Sequence, residues 1–370
     1  MHEREESAFS GEPTERGPTG PAIEVAVGKK PQRIPVLDGW RACSILLVLG
    51  AHLVPLGPHW MALNDTAGAM GMALFFTLSG YLITSFLAGG MSVGDFLARR
   101  LARIVPLCWA ALVFLVLWHS YDFTTILRNF LFVANTPPVS LLEGGEHLWS
   151  LGVEMQFYVS IALICLIFGR RGLYIVPVLA IGVTAARIIA GERISIVTWH
   201  RIDEILAGGI IALIYAGWFG QKAFEGLKKL PVWPFIILLV LCSHPGLGPM
   251  MYFRPYAAAL LVGASLGNCP AILQRALVSR PMAYVAEVSY ALYVIHGVLS
   301  DTWLGTGDKA IKYLKRPLLF GATFLLAHMS TRYYEQPITR HVRNWTKARR
   351  QRRAEAMNAS PTEAASHPAG

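Results

Sequence analysis

The chain has 370 residues, of which 54% are hydrophobic and only 15% are charged, and its formal net charge is +10. This composition excludes an ordinary soluble domain of the same length. Apolar windows of about 20 residues, the length that crosses the hydrocarbon of a bilayer, recur between residues 36 and 334. The sequence therefore predicts an all-α, polytopic membrane helix bundle.

Ten membrane-spanning segments are predicted, and the basic residues set their orientation. Short cytoplasmic loops carry an excess of Lys and Arg. With both tails in the cytoplasm, that side holds 22 of the 33 Lys and Arg residues, and the opposite loops hold seven. Both tails are therefore predicted to be cytoplasmic. The segments are centred near Leu47, Thr77, Leu112, Phe157, Leu179, Ile210, Ile237, Ala259, Tyr293 and Leu325.

The two ends of the chain carry no apolar run. Residues 1–33 mix Glu, Arg, Gly and Pro, which predicts a disordered cytoplasmic tail and no signal peptide. Residues 34–338 are predicted to form the membrane domain. Residues 339–370 are predicted to be a second tail, with basic residues 347–353 against anionic lipid and disorder from residue 354. The positive net charge is thus an orientation signal, and no nucleic acid is expected as a partner.

The cysteines lie in or beside apolar segments, without the CxxC or Cys/His spacing of a zinc site. They are expected to be packing residues, and no metal is expected. The glycine patterns of nucleotide-binding loops are absent from the sequence, as are internal repeats. The polar residues inside the apolar segments are therefore the candidates for chemistry.

The first apolar segment contains Arg41 and His52, eleven positions apart. At about 100° per residue, the two side chains share one helix face and lie about 16 Å apart along the axis. An Arg in or near hydrocarbon costs on the order of a few kcal/mol, so such a residue usually lines a cavity or has a partner. Two interpretations are open: a functional polar face, or hydrogen bonds from each residue to a neighbouring helix.

The residues around this pair suit it to chemistry. Asp38 lies three positions before Arg41, where a helix can pair the two side chains, although capping of the helix is the other interpretation of Asp38. The guanidinium of Arg41 is a fixed cation suited to phosphate. The imidazole of His52 has an ordinary pKa of about 6.5 and can accept a proton near neutral pH.

Later segments add further polar groups. Glu154 lies about seven residues into the fourth segment, where its carboxyl needs a partner such as His52, an Arg or a proton. In the second segment, Ser79 and Gly80 are small enough for another helix or a thin ligand to approach closely, and helix packing is the default interpretation. Polar groups on several segments indicate that the bundle encloses a polar cavity. The sixth segment carries Arg201, Asp203 and Glu204, and the ninth carries Ser289, Tyr290, Tyr293 and His296.

Two basic clusters have two interpretations each. Arg99, Arg100 and Arg103 follow the second segment, either as phosphate ligands or as an orientation signal. The loop over residues 305–317 carries four positive charges on the outer side, either to bind an anionic acceptor or headgroup or as a solvated surface.

Seven pieces of the sequence, in order, resemble the acyltransferase-3 family of bacterial integral membrane O-acyltransferases, which includes acetylases of O-antigen, exopolysaccharide, Nod factor and macrolides. The resemblance covers nearly the whole membrane core. The pieces are Arg41 and His52 with ten residues between them, residues 75–81 (FFTLSGY), residues 99–106 (RRLARIVP), residues 148–158 (LWSLGVEMQFY), residues 201–203 (RID), residues 289–293 (SYALY) with His296, and residues 334–337 (YEQP).

This resemblance implies transfer of an acyl group, usually acetyl from cytoplasmic acetyl-CoA, onto a hydroxyl of a cell-envelope glycan or its lipid-linked precursor. It implies a multi-pass protein of the bacterial inner membrane that contacts the membrane lipids. We expect the protein to be monomeric. The sequence differs from the family pattern at three positions. Tyr81 stands where Phe is commoner, and Gly152 and Met155 replace Ser and Glu. These departures concern the shape of the pocket and the choice of acceptor.

The resemblance also suggests roles for residues. Arg99, Arg100 and Arg103 are expected to hold the CoA phosphates at the cytoplasmic face, with the pantetheine arm reaching inward past Arg41. His52 is expected to act as a general base on the acceptor hydroxyl or to receive the acyl group itself. Glu154 is expected to set the tautomer of His52.

Other interpretations stay open at this point. Intramembrane charges and a cationic mouth also suit a transporter or flippase for an anionic substrate, although the paired interrupted helices and internal repeat of such proteins are absent from the sequence. Within the enzymes, the alternatives are acylation of a secondary metabolite such as a macrolide, and a succinyl donor. No extracytoplasmic hydrolase-like domain, which some family members carry, is recognised, so the membrane core is expected to act alone or with a separate protein.

Overall fold

The computed structural model describes residues 34–359, and this range consists of helices and their connections, with no strand in it. The prediction of an all-α fold is confirmed. The predicted tail over residues 1–33 and the last residues, 360–370, lie outside the described range. The α-helices of that range are α1 Pro35–Leu53, α2 Leu63–Ala88, α3 Val93–Trp118, α4 Phe123–Phe130, α5 Trp149–Phe168, α6 Val176–Ala190, α7 Asp203–Tyr215, α8 Gly220–Lys229, α9 Trp233–Ser243, α10 Arg254–Gly267, α11 Ala271–Leu277, α12 Arg280–Ser300, α13 Lys309–Ser330 and α14 Gln336–Ala359.

Within the described residues, five helical stretches are long and apolar enough to cross a membrane, and two bent helix pairs raise that number to seven. The sequence predicted ten, and each predicted centre lies in a helix: α1, α2, α3, α5, α6, α7, α9, α10, α12 or α13. The counts differ because α5 and α6 belong to one continuous stretch, Glu146–Ala190, and because α9 has only 11 residues. In addition, α13 begins with a basic turn that lowers its mean hydropathy.

In each of the two bent pairs, a sharp change of direction divides an apolar stretch into two short helices. The axis turns by 112° between α7 and α8 and by 102° between α10 and α11. Between α7 and α8, Gly217 and Gly220 have φ values of +78° and +81°, which glycine adopts without the steric cost that a side chain adds. Glycine therefore allows the chain to leave the axis of α7 at that point.

The loops gather at two ends of the bundle, which we name after their residues. At the arginine end, Arg170 donates to the carbonyl of Ala88, and Gly267 lies against the backbone of Lys228. At the histidine end, His119 Nε2 lies 2.7 Å from Asp301 Oδ2. Each of these three contacts joins loops that the charge count assigned to one and the same side of the membrane.

At the centre of the bundle, α2 packs most extensively against α7 and α1, and α1 also packs against α12. The crossing of α2 and α7 is close because two glycines face the partner backbone. A Cβ on Gly80 would lie 1.7 Å from the carbonyl oxygen of Ile205, and a Cβ on Gly208 would lie 2.0 Å from that of Thr77. Small residues allow membrane helices to approach in this way, which confirms the packing role predicted for Gly80.

The C-terminal helix is longer than the sequence predicted. Disorder was predicted from residue 354, but α14 continues to Ala359. The last part of the helix contains Ala, Glu and Met, which have high helix propensity, so the helix extends past the basic residues. Near its middle, Thr346 accepts a hydrogen bond of 2.9 Å from Arg99 Nε, which attaches α14 to α3.

We expect Gly80→Ala to destabilise the protein by about 3 kcal/mol or more, because the added methyl overlaps a backbone carbonyl that cannot rotate away. Thermal unfolding in detergent, followed by tryptophan fluorescence, measures the effect. Gly182→Ala in α6 is the matched control, since a Cβ there meets nothing within 4 Å. Equal melting temperatures for the two variants would contradict the close crossing of α2 and α7.

Candidate functional site

Two cavities lie next to each other inside the bundle. The arginine-lined cavity, of about 60 Å³, is bordered by Arg41, Arg100, Arg103 and Glu154. The histidine-lined cavity, of about 660 Å³, is bordered by His52, His147, His296, Glu143, Glu146 and Asp301. The sequence predicted one polar cavity, and the structure divides the polar residues between two.

Helix α1 runs past both cavities. Arg41 borders the arginine-lined cavity and His52 borders the histidine-lined cavity, eleven residues further along. Three residues border both cavities and form a wall between them, which we call the shared wall: Val48, Met72 and Tyr293. The helix face predicted from the Arg41 and His52 spacing therefore connects two compartments.

The ring of His52 is held by His296 of α12. His52 Nδ1 lies 2.9 Å from His296 Nε2, and the planes of the two rings are inclined by only 11°. His296 Nδ1 lies 2.6 Å from the carbonyl oxygen of Tyr293 and 3.2 Å from that of Leu292. Since a carbonyl oxygen only accepts, His296 Nδ1 carries the hydrogen.

This arrangement sets the tautomers of the pair, which we assign from the hydrogen bonds. In a neutral His296 ring, protonation at Nδ1 leaves Nε2 as an acceptor. His52 Nδ1 therefore donates to it, and His52 Nε2 keeps its lone pair. The pair thus resembles the base and orienting group of a catalytic triad, with His296 in the orienting role.

His147 and Tyr293 support the pair from the other side. The ring of His147 meets that of His296 edge to face at 4.8 Å, and its Nε2 donates to the carbonyl of Val294 at 3.1 Å. The Tyr293 hydroxyl donates to the carbonyl of His147 and lies 2.6 Å from Ser150 Oγ. The close fit requires glycine at Gly297, where a Cβ would lie 2.1 Å from the His147 ring.

Glu154 does not contact His52, so the predicted role of Glu154 in setting the His52 tautomer is wrong. Its carboxylate accepts hydrogen bonds from Ser79 and Tyr158 and faces the arginine-lined cavity. The reason is helix geometry: Glu154 lies seven residues, or about 10 Å, beyond His147 toward the arginine end.

The arginines of α3 divide between two surfaces. Arg100 and Arg103 border the arginine-lined cavity, and the Arg100 guanidinium lies over the rings of Phe86 and Tyr158 at 5.5 and 5.7 Å. Arg99 faces α14 instead and is not among the residues that border the cavity. Arg99 and Arg103 are one helical turn apart, so spacing alone does not separate them; the hydrogen bond from Arg99 Nε to Thr346 Oγ1 holds Arg99 toward α14.

Asp38 pairs with Arg41. Asp38 Oδ1 lies 2.9 Å from Arg41 NH1. The N-cap of α1 is Ile34, so the pairing interpretation of Asp38 is confirmed and the capping interpretation is wrong. The pair places the Arg41 guanidinium at the edge of the arginine-lined cavity.

The predicted polar group on the sixth segment borders neither cavity. It belongs to a buried charge network in which Arg187 pairs with Asp203, and Glu204 pairs with both Arg254 and Arg201. These side chains are at most 3% exposed, so each charge needs its partner. The network joins α6, α7 and α10 and has a structural role.

The histidine cluster was only partly visible in the sequence. The sequence analysis names His296 as a polar residue of the ninth segment, but it does not predict the contact of His296 with His52 or the position of His147 beside them. The spacing of Ser289, Tyr293 and His296 places them on one face of α12, which is a signal for a functional face. The acidic border of the histidine-lined cavity was not predicted either.

Packed apolar helices, with a His52–His296 pair at one cavity and an arginine-lined cavity beside it, define a membrane protein with polar groups inside its helix bundle. The family model described as "Acyltransferase domain" matches residues 34–328. The chain therefore belongs to this acyltransferase family, as the resemblance suggested.

Two curated relatives have been named for their activity. The O-acetyltransferase OatA of Staphylococcus aureus is 25% identical over 357 residues, covering 83% of this chain and 57% of the relative. The peptidoglycan O-acetyltransferase OatA of Listeria monocytogenes is 24% identical over 359 residues, covering 83% and 56%. The chain thus spans little more than half the length of these relatives. No solved structure matches the chain.

We expect His52 to be the Nδ1–H tautomer, and we expect His296→Ala to shift it toward a mixture of both tautomers, because the acceptor of the Nδ1 hydrogen is lost. Nitrogen-15 NMR of histidine-labelled protein, with His52→Gln to identify the His52 signals, reports the tautomer directly. A His52 signal that is the same with and without the His296 ring would show that His296 does not set it.

Proposed function

We propose that the chain transfers an acyl group, acetyl in the first instance, from cytoplasmic acyl-CoA to a hydroxyl of a cell-envelope polysaccharide or its lipid-linked precursor. The observation that carries the proposal is the lone pair of His52 Nε2, which the His296 contact leaves available at the histidine-lined cavity, on the far side of a wall from three arginines. The name of the Listeria monocytogenes relative makes peptidoglycan the first acceptor to test.

The membrane topology that goes with this function has ten spans and both tails in the cytoplasm of a bacterial cell, in its inner membrane. The contacts at the two ends of the bundle support it, because they join loops of the same predicted side. In this orientation the arginine end faces the cytoplasm, where acyl-CoA is made, and the histidine end faces the cell wall.

The arginine-lined cavity suits the donor. Arg41, Arg100 and Arg103 present guanidinium groups, which bind phosphates through paired hydrogen bonds. Apolar residues complete the lining and suit the uncharged pantetheine arm; they include Ile45, Val48, Leu78 and Leu82. The acyl-CoA would therefore enter with its phosphates at Arg100 and Arg103 and with its thioester directed toward the shared wall.

The histidine-lined cavity suits a polyhydroxyl acceptor. Glu143, Glu146 and Asp301 are on its border, and carboxylates accept hydrogen bonds from sugar hydroxyls. Within the described lining, no Lys or Arg is present to attract an anion. A neutral stretch of glycan therefore fits this cavity better than an anionic acceptor.

The chemistry needs a base beside the acceptor hydroxyl. His52 Nε2 accepts the hydroxyl proton as the oxygen attacks the thioester carbonyl carbon. The new ester C–O bond forms, the C–S bond breaks, and the imidazolium returns its proton to the departing thiolate. His296 stays neutral and holds the ring orientation throughout. Formation of an acyl-His52 intermediate is the second route, and trapping of a labelled adduct on His52 distinguishes the two.

We expect His52→Ala to lower acetyl transfer from acetyl-CoA to peptidoglycan by about 10²- to 10⁴-fold, the range of general base catalysis. His296→Ala should lower kcat by about 10²-fold with little change in the KM for acetyl-CoA, because it removes only the orientation of the base. Counts of radiolabelled acetyl in the glycan fraction measure both.

The control for these variants is His328→Ala, which removes an exposed histidine of α13 that borders neither cavity. It should retain the activity of the unmodified protein. Equal transfer by His52→Ala and His328→Ala would remove His52 from the mechanism.

We expect Arg103→Gln to raise the KM for acetyl-CoA by about 10-fold while kcat changes little, because one charged hydrogen bond to phosphate is worth about 1.5–3 kcal/mol. Arg99→Gln, four positions earlier on the same helix, should change the KM by less than about 2-fold, since Arg99 faces α14. Initial rates at varied acetyl-CoA measure both constants. A larger effect of Arg99→Gln would place the phosphate site beside α14, outside the arginine-lined cavity.

A further inference from the structure

The shared wall is formed by the residues that the two cavities have in common. Val48 of α1, Met72 of α2 and Tyr293 of α12 border both cavities, and they are 2%, 9% and 5% exposed. If the donor binds at the arginines and the base is His52, the acyl group has to pass between these three side chains to reach the acceptor. Their shape therefore bears on which acyl groups can pass.

One side of the wall is fixed by hydrogen bonds and ring packing. The Tyr293 hydroxyl is held by the carbonyl of His147 and by Ser150, and its ring is stacked on that of Phe75 at 5.9 Å and an angle of 10°. A second side is fixed by the backbone. Ser44 Oγ donates to the carbonyl of Gly71 at 2.7 Å, which locks α1 against α2.

Val48 lies at this locked contact. A Cβ on Gly71 would lie 2.9 Å from Val48 Cγ2, so the two helices have no spare room at the valine. Val48 is also β-branched, and a β-branched side chain in a helix has one strongly preferred rotamer. Neither Val48 nor Tyr293 can move aside for a longer acyl group.

Met72 is the third residue of the shared wall, and it differs from Val48 and Tyr293 in that its side chain is flexible. Its side chain is unbranched and flexible, so its length decides how much space is left beside two fixed neighbours. The arginine-lined cavity measures only about 60 Å³, against about 660 Å³ on the histidine side.

We propose that Met72, packed beside Val48 and Tyr293, sets the length of the acyl group that the protein transfers and limits it to two carbons. This inference rests on the proposed function and adds the donor specificity to it. The donor class is a short-chain acyl-CoA, and acetyl is selected because each further methylene collides with the methionine side chain.

The test compares Met72→Ala with the unmodified protein on acetyl-CoA, propionyl-CoA and butyryl-CoA, with peptidoglycan as acceptor. One methylene in an apolar pocket changes kcat/KM by about 10-fold or more. Met72→Ala should therefore raise the ratio of butyryl to acetyl kcat/KM by at least about 10-fold. Val48→Ala is a smaller truncation of the same wall and should raise the ratio of butyryl to acetyl kcat/KM by less. It is the variant to measure if Met72→Ala does not fold.

Met251→Ala is the matched control, because Met251 is a buried methionine, 2% exposed, that borders neither cavity. Its butyryl to acetyl ratio should equal that of the unmodified protein. An unchanged ratio in folded Met72→Ala, or an equal rise in Met251→Ala, overturns the inference.

The same experiment separates this inference from the proposed function. Acetyl transfer by the unmodified protein with no shift of the ratio in either wall variant overturns only the role of the wall. No transfer of any acyl group by the unmodified protein overturns the proposed function, and the inference with it.

Discussion

The hydrogen bond between His52 and His296 is the interaction on which the proposed site depends. It joins α1 to α12, fixes the plane of the His52 ring, and leaves one ring nitrogen with a lone pair at the histidine-lined cavity. The backbone carbonyl of Tyr293 accepts the hydrogen of His296 Nδ1 and thereby fixes the His296 tautomer. The orientation of the base therefore depends on the backbone geometry of α12. Removing His296 would leave His52 in place without a defined tautomer, which is why the two residues are a unit.

Helix packing supplies the position of that pair. The glycines at the crossing of α2 and α7, and Gly71 at the contact of α1 and α2, bring backbones close without side chains between them. Close packing is the way that apolar helices hold a fixed arrangement in lipid, where the hydrophobic effect between helices is absent. The residues of the shared wall belong to these packed helices, with arginines on one side of the wall and histidines on the other.

The sequence predicted the fold class, the close-packing role of Gly80 and the importance of the Arg41 and His52 face, because periodicity and small residues are local signals. It did not predict the partner of His52, since His296 lies 244 residues away and no local pattern joins them. It assigned Glu154 to His52 because the depth of Glu154 along α5 could not be compared with that of His52 on α1. Arg99 was grouped with Arg100 and Arg103 by sequence, whereas in the structure it donates to Thr346 of α14, 247 residues away.

In the proposed mechanism, the acyl donor and the acceptor are supplied from opposite sides of one membrane. Proteoliposomes of the purified protein test this arrangement directly, with radiolabelled acetyl-CoA and soluble peptidoglycan fragments placed on the same side or on opposite sides of the membrane. Protease cleavage of the C-terminal tail determines the orientation of the protein in the liposomes. We expect labelled glycan when acetyl-CoA is on the side of the C-terminal tail and the glycan is on the other side. Label that forms only when both substrates share a side would contradict it.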